Sequence, residues 1–138
     1  FLRLNREVHL FCKHTHKAYD AAKIRVRPVS HLAYLESLAD CAALVCGAGF
    51  QATSEALHLG ERLLCVPMRH QYEQACNAAA LVEMGIPVAN TVDEFVMMQL
   101  RNLLQQPAPE PFNYPDITSR IPGKILQAAS SFHKANRQ

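Results

Sequence analysis

The stretch Cys46–Asn77, CGAGFQATSEALHLGERLLCVPMRHQYEQACN, constrains the fold more than any other part of the chain. It is entered by a short apolar strand, Ala42 to Cys46, which breaks at Gly47-Ala48-Gly49. A helical run from Gln51 to Leu59 follows and is stopped by Gly60. A second strand, Arg62 to Val66, ends at Pro67, and a second helix starts near Gln71. Two strand–turn–helix units in succession define a ligand edge, because open α/β sheets bind beyond the carboxyl ends of their strands. The binding residues are therefore expected in these two turns.

The flanks extend the same alternation. Phe1 to Arg6 reads as the last turn of a helix, and Glu7 to Cys12 as a strand ending at Lys13-His14-Thr15-His16. Ile24 to Arg27 alternates apolar with basic residues, a strand pattern closed by Pro28. His31 to Ala39 is a helix with Leu32, Leu35, Leu38 and Ala39 on one face and Ser30 at its N-cap. Met84-Gly85 closes a turn before a short strand, Ile86 to Ala89. Thr91 is placed to cap a helix from Val92 to about Gln105, with Asp93 and Glu94 in its first turn. Pro107 to Pro111 contains three prolines and reads as an extended tether. A last amphipathic helix covers about Ile117 to Lys134, with Pro122 as a kink or restart. Strands alternating with helices predict an α/β fold, a Rossmann-like, doubly wound parallel sheet. Such a sheet normally has an earlier central strand, so the first βα unit is expected upstream of Phe1, in a larger polypeptide. Residues 1–106 then form the binding domain and residues 107–138 the tether and terminal helix.

At 138 residues the chain is one domain's worth. A hydrophobic fraction of 49% with 19% charged residues is that of an ordinary globular protein. A net charge of +2, without a basic run, argues against a nucleic-acid surface. No apolar run reaches the ~18 residues of a membrane span, and nothing resembles a secretory leader, so a cytoplasmic protein is expected. The five cysteines lack C-x-x-C spacing and read as buried free thiols. His14-x-His16 has no carboxylate nearby to complete a metal set.

Gly47-Ala48-Gly49-Phe50-Gln51-Ala52 matches G-x-G-x-x-A, a dinucleotide pattern. Small residues let a backbone approach phosphate, and the following helix start offers unpaired N–H groups and a positive dipole end. This chemistry favours a phosphate without selecting NAD. The dinucleotide fingerprint follows the first strand of its fold, whereas this turn follows about the third. The acidic ribose ligand expected ~20 residues later is replaced by Val66-Pro67-Met68. Glu55 lies one turn into the helix at the same mouth. The second turn, Met68 to Gln74, is unusually polar, and Glu73 and Asn77 share a helix face. A carboxylate and two amides at one strand end suit the neighbouring hydroxyls of a sugar; a capped surface helix would explain them almost as simply.

The order of these features resembles the donor-sugar half of GT-B glycosyltransferases. In the UDP-glycosyltransferases the pattern is similar to H-C-G-W-x-S-x-x-E-A-L, then a proline, then D/E-Q-x-x-N-A. Here Gly47-Ala48-Gly49-Phe50 takes the place of H-C-G-W, Glu55-Ala56-Leu57 matches E-A-L, and Glu73-Gln74 with Asn77-Ala78 matches the end. The lipid-linked GlcNAc transferase of peptidoglycan synthesis is similar over Ala39 to Glu55, including Ser54-Glu55. The likeness covers about Val29 to Gly85. It implies that Val29 and Ser30 border a uracil base, and that Gly47, Ala48, Gly49, Phe50, Gln51, Ala52 and Thr53 surround a diphosphate. Glu55 would bond the ribose hydroxyls. Gln71, Glu73, Gln74 and Asn77 would hold the donor sugar, with Arg69 and His70 beside them. Gly47 departs from the family pattern, which often places a histidine on the diphosphate there.

The resemblance further implies a UDP-sugar as donor substrate, no cofactor and no metal. It also implies an acceptor-binding N-terminal domain, on the same chain or a partner subunit, that carries the catalytic base, and peripheral membrane contact if the acceptor is a lipid. Two rival readings stand beside it: a nucleotide-sugar epimerase domain, and a non-catalytic nucleotide-sugar-binding subunit.

Overall fold

The computed structural model describes residues 4–135, with side chains described through residue 129 and at Phe132. The expected helical tail at Phe1–Arg6 falls partly outside that range. Strand β1 (Val8–Phe11) pairs in parallel with β3 (Ile24–Arg27), in the register Val8↔Ile24 to Phe11↔Arg27. Strand β2 (Tyr19–Ala21), which the sequence pattern does not indicate, is antiparallel to β3 and makes the order β1-β3-β2. Its residues are exposed throughout, so no burial alternation marks it. Asp20 bridges both arginines of β3, at 2.7 Å from Arg25 and 2.8 Å from Arg27, and Glu7 lies 3.1 Å from Arg25. The basic alternation of β3 is thus matched by acids on its two neighbours.

Helix α1 (His31–Ala39) follows, then β4 (Leu44–Cys46), helix α2 (Phe50–Leu59), β5 (Leu63–Cys65) and helix α3 (Tyr72–Glu83). β4 and β5 are parallel, with Leu44, Val45 and Cys46 opposite Leu63, Leu64 and Cys65. The expected strand at Ile86–Ala89 contracts to one parallel bridge, Cys65↔Val88, since Pro87 has no N–H to extend the ladder. α/β architecture with parallel strands is therefore present, but the described strands form two sheets instead of one, β1 pairing only with β3 and β4 only with β5.

Alternation along β5 divides the core. Leu63 and Cys65 pack with Leu38 of α1, Ala56 of α2, and Ala78 and Leu81 of α3. Leu64 points the other way, onto Val96 and Leu100 of α4 (Glu94–Gln105). Helices thus cover both faces of this sheet, which explains why β4 and β5 are apolar at consecutive positions. Of the expected face Leu32, Leu35, Leu38 and Ala39, Leu38 is buried, while Leu32 is 68% exposed and Tyr34, one turn before Leu38, packs inward instead. Cys46 and Cys65 are opposite partners on the α1–α2–α3 face, and the adjacent Cys65 sulfur together with burial pushes the Cys46 thiol up. All five thiols are free, but only Cys65 is buried; Cys12, Cys41 and Cys46 are half-buried and Cys76 is exposed, a correction to the expectation of burial.

Asp93, not Thr91, caps α4: its Oδ1 accepts from the N–H groups of Phe95 (2.9 Å) and Val96 (3.1 Å), while Thr91 Oγ1 donates to its Oδ2 at 2.7 Å. Residues 107–117 carry no regular secondary structure, consistent with the prolines, and a short 3-10 turn, Thr118–Arg120, leads into α5 (Ile121–Ala135). Pro122 sits in the first turn of α5, where a missing N–H costs nothing.

Candidate functional site

Parallel pairing of β4 with β5 sets their carboxyl ends side by side, so the turns after Cys46 and Cys65 lie on one edge. The first is Gly47-Ala48-Gly49. Ala48 is fully buried, and α2 begins directly after Gly49 with no side-chain cap. The first-turn amides of α2 therefore keep their donors and the positive dipole end uncompensated by a side chain. A Cβ built on Gly49 meets no atom within 4 Å, so the space before that backbone is open to a close-approaching ligand. Gly47 differs: a Cβ there would lie 2.9 Å from Gln74 Oε1.

Gln74 accounts for that contact. Its Oε1 accepts from the Met68 N–H at 2.9 Å, so one amide from α3 pins the second turn while packing on the first. Three residues on, Asn77 Nδ2 donates to the Ala48 carbonyl at 2.9 Å. The two amides expected at a sugar thus brace the two turns against each other. Gln71 caps α3, its Oε1 accepting from the Gln74 N–H at 3.3 Å. Arg69, His70 and Glu73 are exposed, and His70 takes a left-handed φ of 63°, a conformation that costs of order 1 kcal/mol outside glycine.

On the nucleotide side, Thr53 is buried and its hydroxyl reaches back to the Gly49 and Phe50 carbonyls at 2.9 and 3.0 Å. It stiffens the turn; its donor is already committed to these carbonyls. Phe50 is 70% exposed at the helix start, and Gln51 Nε2 donates to Glu55 Oε1 at 3.0 Å. Ala52, on the same first turn, is half-buried. Val29 and Ser30 are exposed at the start of α1; Ser30 occupies the N-cap position without a capping bond. Sequence reasoning missed Tyr34, whose phenol is pushed up to about 12, chiefly by burial and then by the Glu55 carboxylate. Its one-turn spacing from Leu38 is the signal that would have placed it on the buried stripe.

A groove of about 450 Å³ lies elsewhere, at the amino end of β5, lined in part by Arg62, Met84, Gln99 and Pro109. The Arg62 guanidinium there is committed to the Gln106 carbonyl (3.0 and 2.7 Å) and the Ala42 carbonyl (3.2 Å). The carboxyl edge has the uncapped helix start, open glycine backbone and carboxylate that anion and hydroxyl binding require. Among the described residues no group of three or more His, Cys, Asp or Glu converges as a metal site, and no helix is long and apolar enough to cross a membrane.

Comparison with known families places this edge in context. The model of the family described as Glycosyl transferase family 1 matches residues 5–107, which include β1 through α4 and both turns. No curated protein matches the chain.

Proposed function

Because the chain belongs to glycosyl transferase family 1, we propose that residues 1–106 are the donor-binding half of a GT-B enzyme that transfers a hexose from a UDP-sugar. The observation that carries this reading is the bracing of the two turns, Asn77 to Ala48 and Gln74 to Met68, which makes one mouth of them. The uncapped start of α2 then receives the diphosphate on the backbone N–H groups of Phe50, Gln51 and Ala52. Glu55 accepts hydrogen bonds from the ribose hydroxyls, and Val29 and Ser30 border the base. Glu73, Gln71, Arg69 and His70 face the sugar; Gln74 and Asn77 shape its floor.

The reaction is displacement at the anomeric carbon with UDP leaving. The negative charge that grows on the diphosphate meets the α2 amides and dipole, which is electrostatic stabilisation at the atoms where charge develops. Holding the donor in one pose supplies the orientation part of the rate. With Gly47 carrying no side chain, these backbone groups, without metal or histidine, are the leaving-group stabilisers. The general base and acceptor pocket belong to a separate domain or subunit. The tether and α5 lead toward that partner, and the donor half alone transfers nothing.

Glu55→Ala tests the assignment. Losing a charged hydrogen bond, ~1.5–3 kcal/mol, should weaken UDP binding by roughly 10- to 100-fold with the thermal midpoint little changed. Unchanged UDP affinity by calorimetry would reduce Glu55 to a surface helix residue.

A further inference from the structure

Two buried polar atoms near the mouth lack a hydrogen-bond partner: the Tyr34 hydroxyl and Glu55 Oε2. The other carboxylate oxygen, Oε1, is taken by Gln51 Nε2. Leaving two such atoms buried is destabilising, unless they serve one another or a ligand. The tyrosine is held firmly. Its ring packs against the α1–α2–α3 core and meets Phe11 of β1 edge-on, with centroids 5.7 Å apart and planes at 86°. The Glu55 charge is felt at the phenol, which stays protonated far above neutral pH and so remains a donor.

We propose that Tyr34 is a positioning residue for Glu55: its hydroxyl, unpaired in this structure, closes onto Oε2 when a nucleoside diphosphate binds and holds the carboxylate so that Oε1, on the Gln51 side, meets the ribose hydroxyls. This rests on the nucleotide reading above. A glutamate has three side-chain torsions and no fixed pose at a helix surface. Anchoring one oxygen from beneath holds the other at one place, which fits it to a hydroxyl at a fixed point. Gln51, on the solvent side, is the group a ribose hydroxyl would displace or join, since an ionised carboxylate oxygen accepts more than one bond. The consequence is selectivity for ribose over deoxyribose, set by a residue on α1 that itself touches no ligand.

The test is a comparison of UDP with 2′-deoxy-UDP on the wild-type protein, Tyr34→Phe, Glu55→Ala and the double variant. Phenylalanine keeps the ring packing and removes only the hydroxyl, and thermal midpoints check that each variant folds. Wild type should prefer UDP by about 10-fold or more, as expected for one charged hydrogen bond. In Tyr34→Phe the preference should fall to within about threefold, and in the Glu55→Ala background Tyr34→Phe should change nothing further. A preference retained in Tyr34→Phe, or equal weakening of both ligands, would overturn the positioning role while leaving the nucleotide site in place. Failure of the wild-type protein to bind UDP at all would instead overturn the nucleotide reading, and this inference with it.

Discussion

Gly47 and Gln74 decide between two accounts of the small-residue turn. The sequence shows that Gly47 departs from a family pattern with a histidine there, and the structure supplies a reason: the space a side chain would need is held by Gln74 Oε1. That oxygen accepts from the Met68 N–H, so a side chain at residue 47 would compete with the brace between the two turns. Gly47→Ala should displace the flexible amide and release the Met68 N–H, at a cost of about 1 kcal/mol. Faster hydrogen exchange at Met68 is the expected readout. Gln74→Ala should have the same effect, and the double variant should be no worse than the singles. Additive losses would mean that Gly47 and Gln74 act separately. Such a pairing is invisible in sequence, since residues 47 and 74 lie on different loops and nothing in their spacing says that they meet. The proposed pairing of Tyr34 with Glu55, on two helices, is equally invisible there.

Elements were more legible than contacts. The bounds of β3 and α1 follow from alternation and capping residues, and α2 and α3 come within a residue, because Gly60, Pro67 and Gln71 punctuate them. β2 is not legible because three exposed residues carry no period, and the α1 face is legible only in part: Leu38 is buried as expected, but Tyr34 packs inward while Leu32 does not. Gly60 shows how an element end and the tether are joined. It ends α2 at a φ of 73°, and a Cβ there would stand 2.8 Å from the Pro109 carbonyl oxygen. Beside it the Phe112 N–H donates to the Leu57 carbonyl at 2.7 Å. Gly60→Ala should therefore destabilise the fold by about 1–2 kcal/mol from left-handed backbone strain alone. It should also loosen residues 109–112, read as faster exchange of the Phe112 amide. A neutral Gly60→Ala would mean that the tether does not rest on α2.

Across the whole molecule, chemistry is concentrated at one edge, where β4 and β5 end and α2 and α3 begin. Helices on both faces hold these strands rigid, so the turns inherit fixed positions from the core. The edge was readable in sequence because strand–turn–helix order is local, whereas the division of the strands into two sheets was not, because pairing depends on long-range partners. Glycosyl transferase family membership sets the reaction class, and UDP as the nucleotide is the central claim built on it. Calorimetric titration of the protein with UDP and, separately, with NAD tests that claim directly. The account predicts saturable UDP binding and much weaker or no NAD binding; a preference for NAD would contradict it.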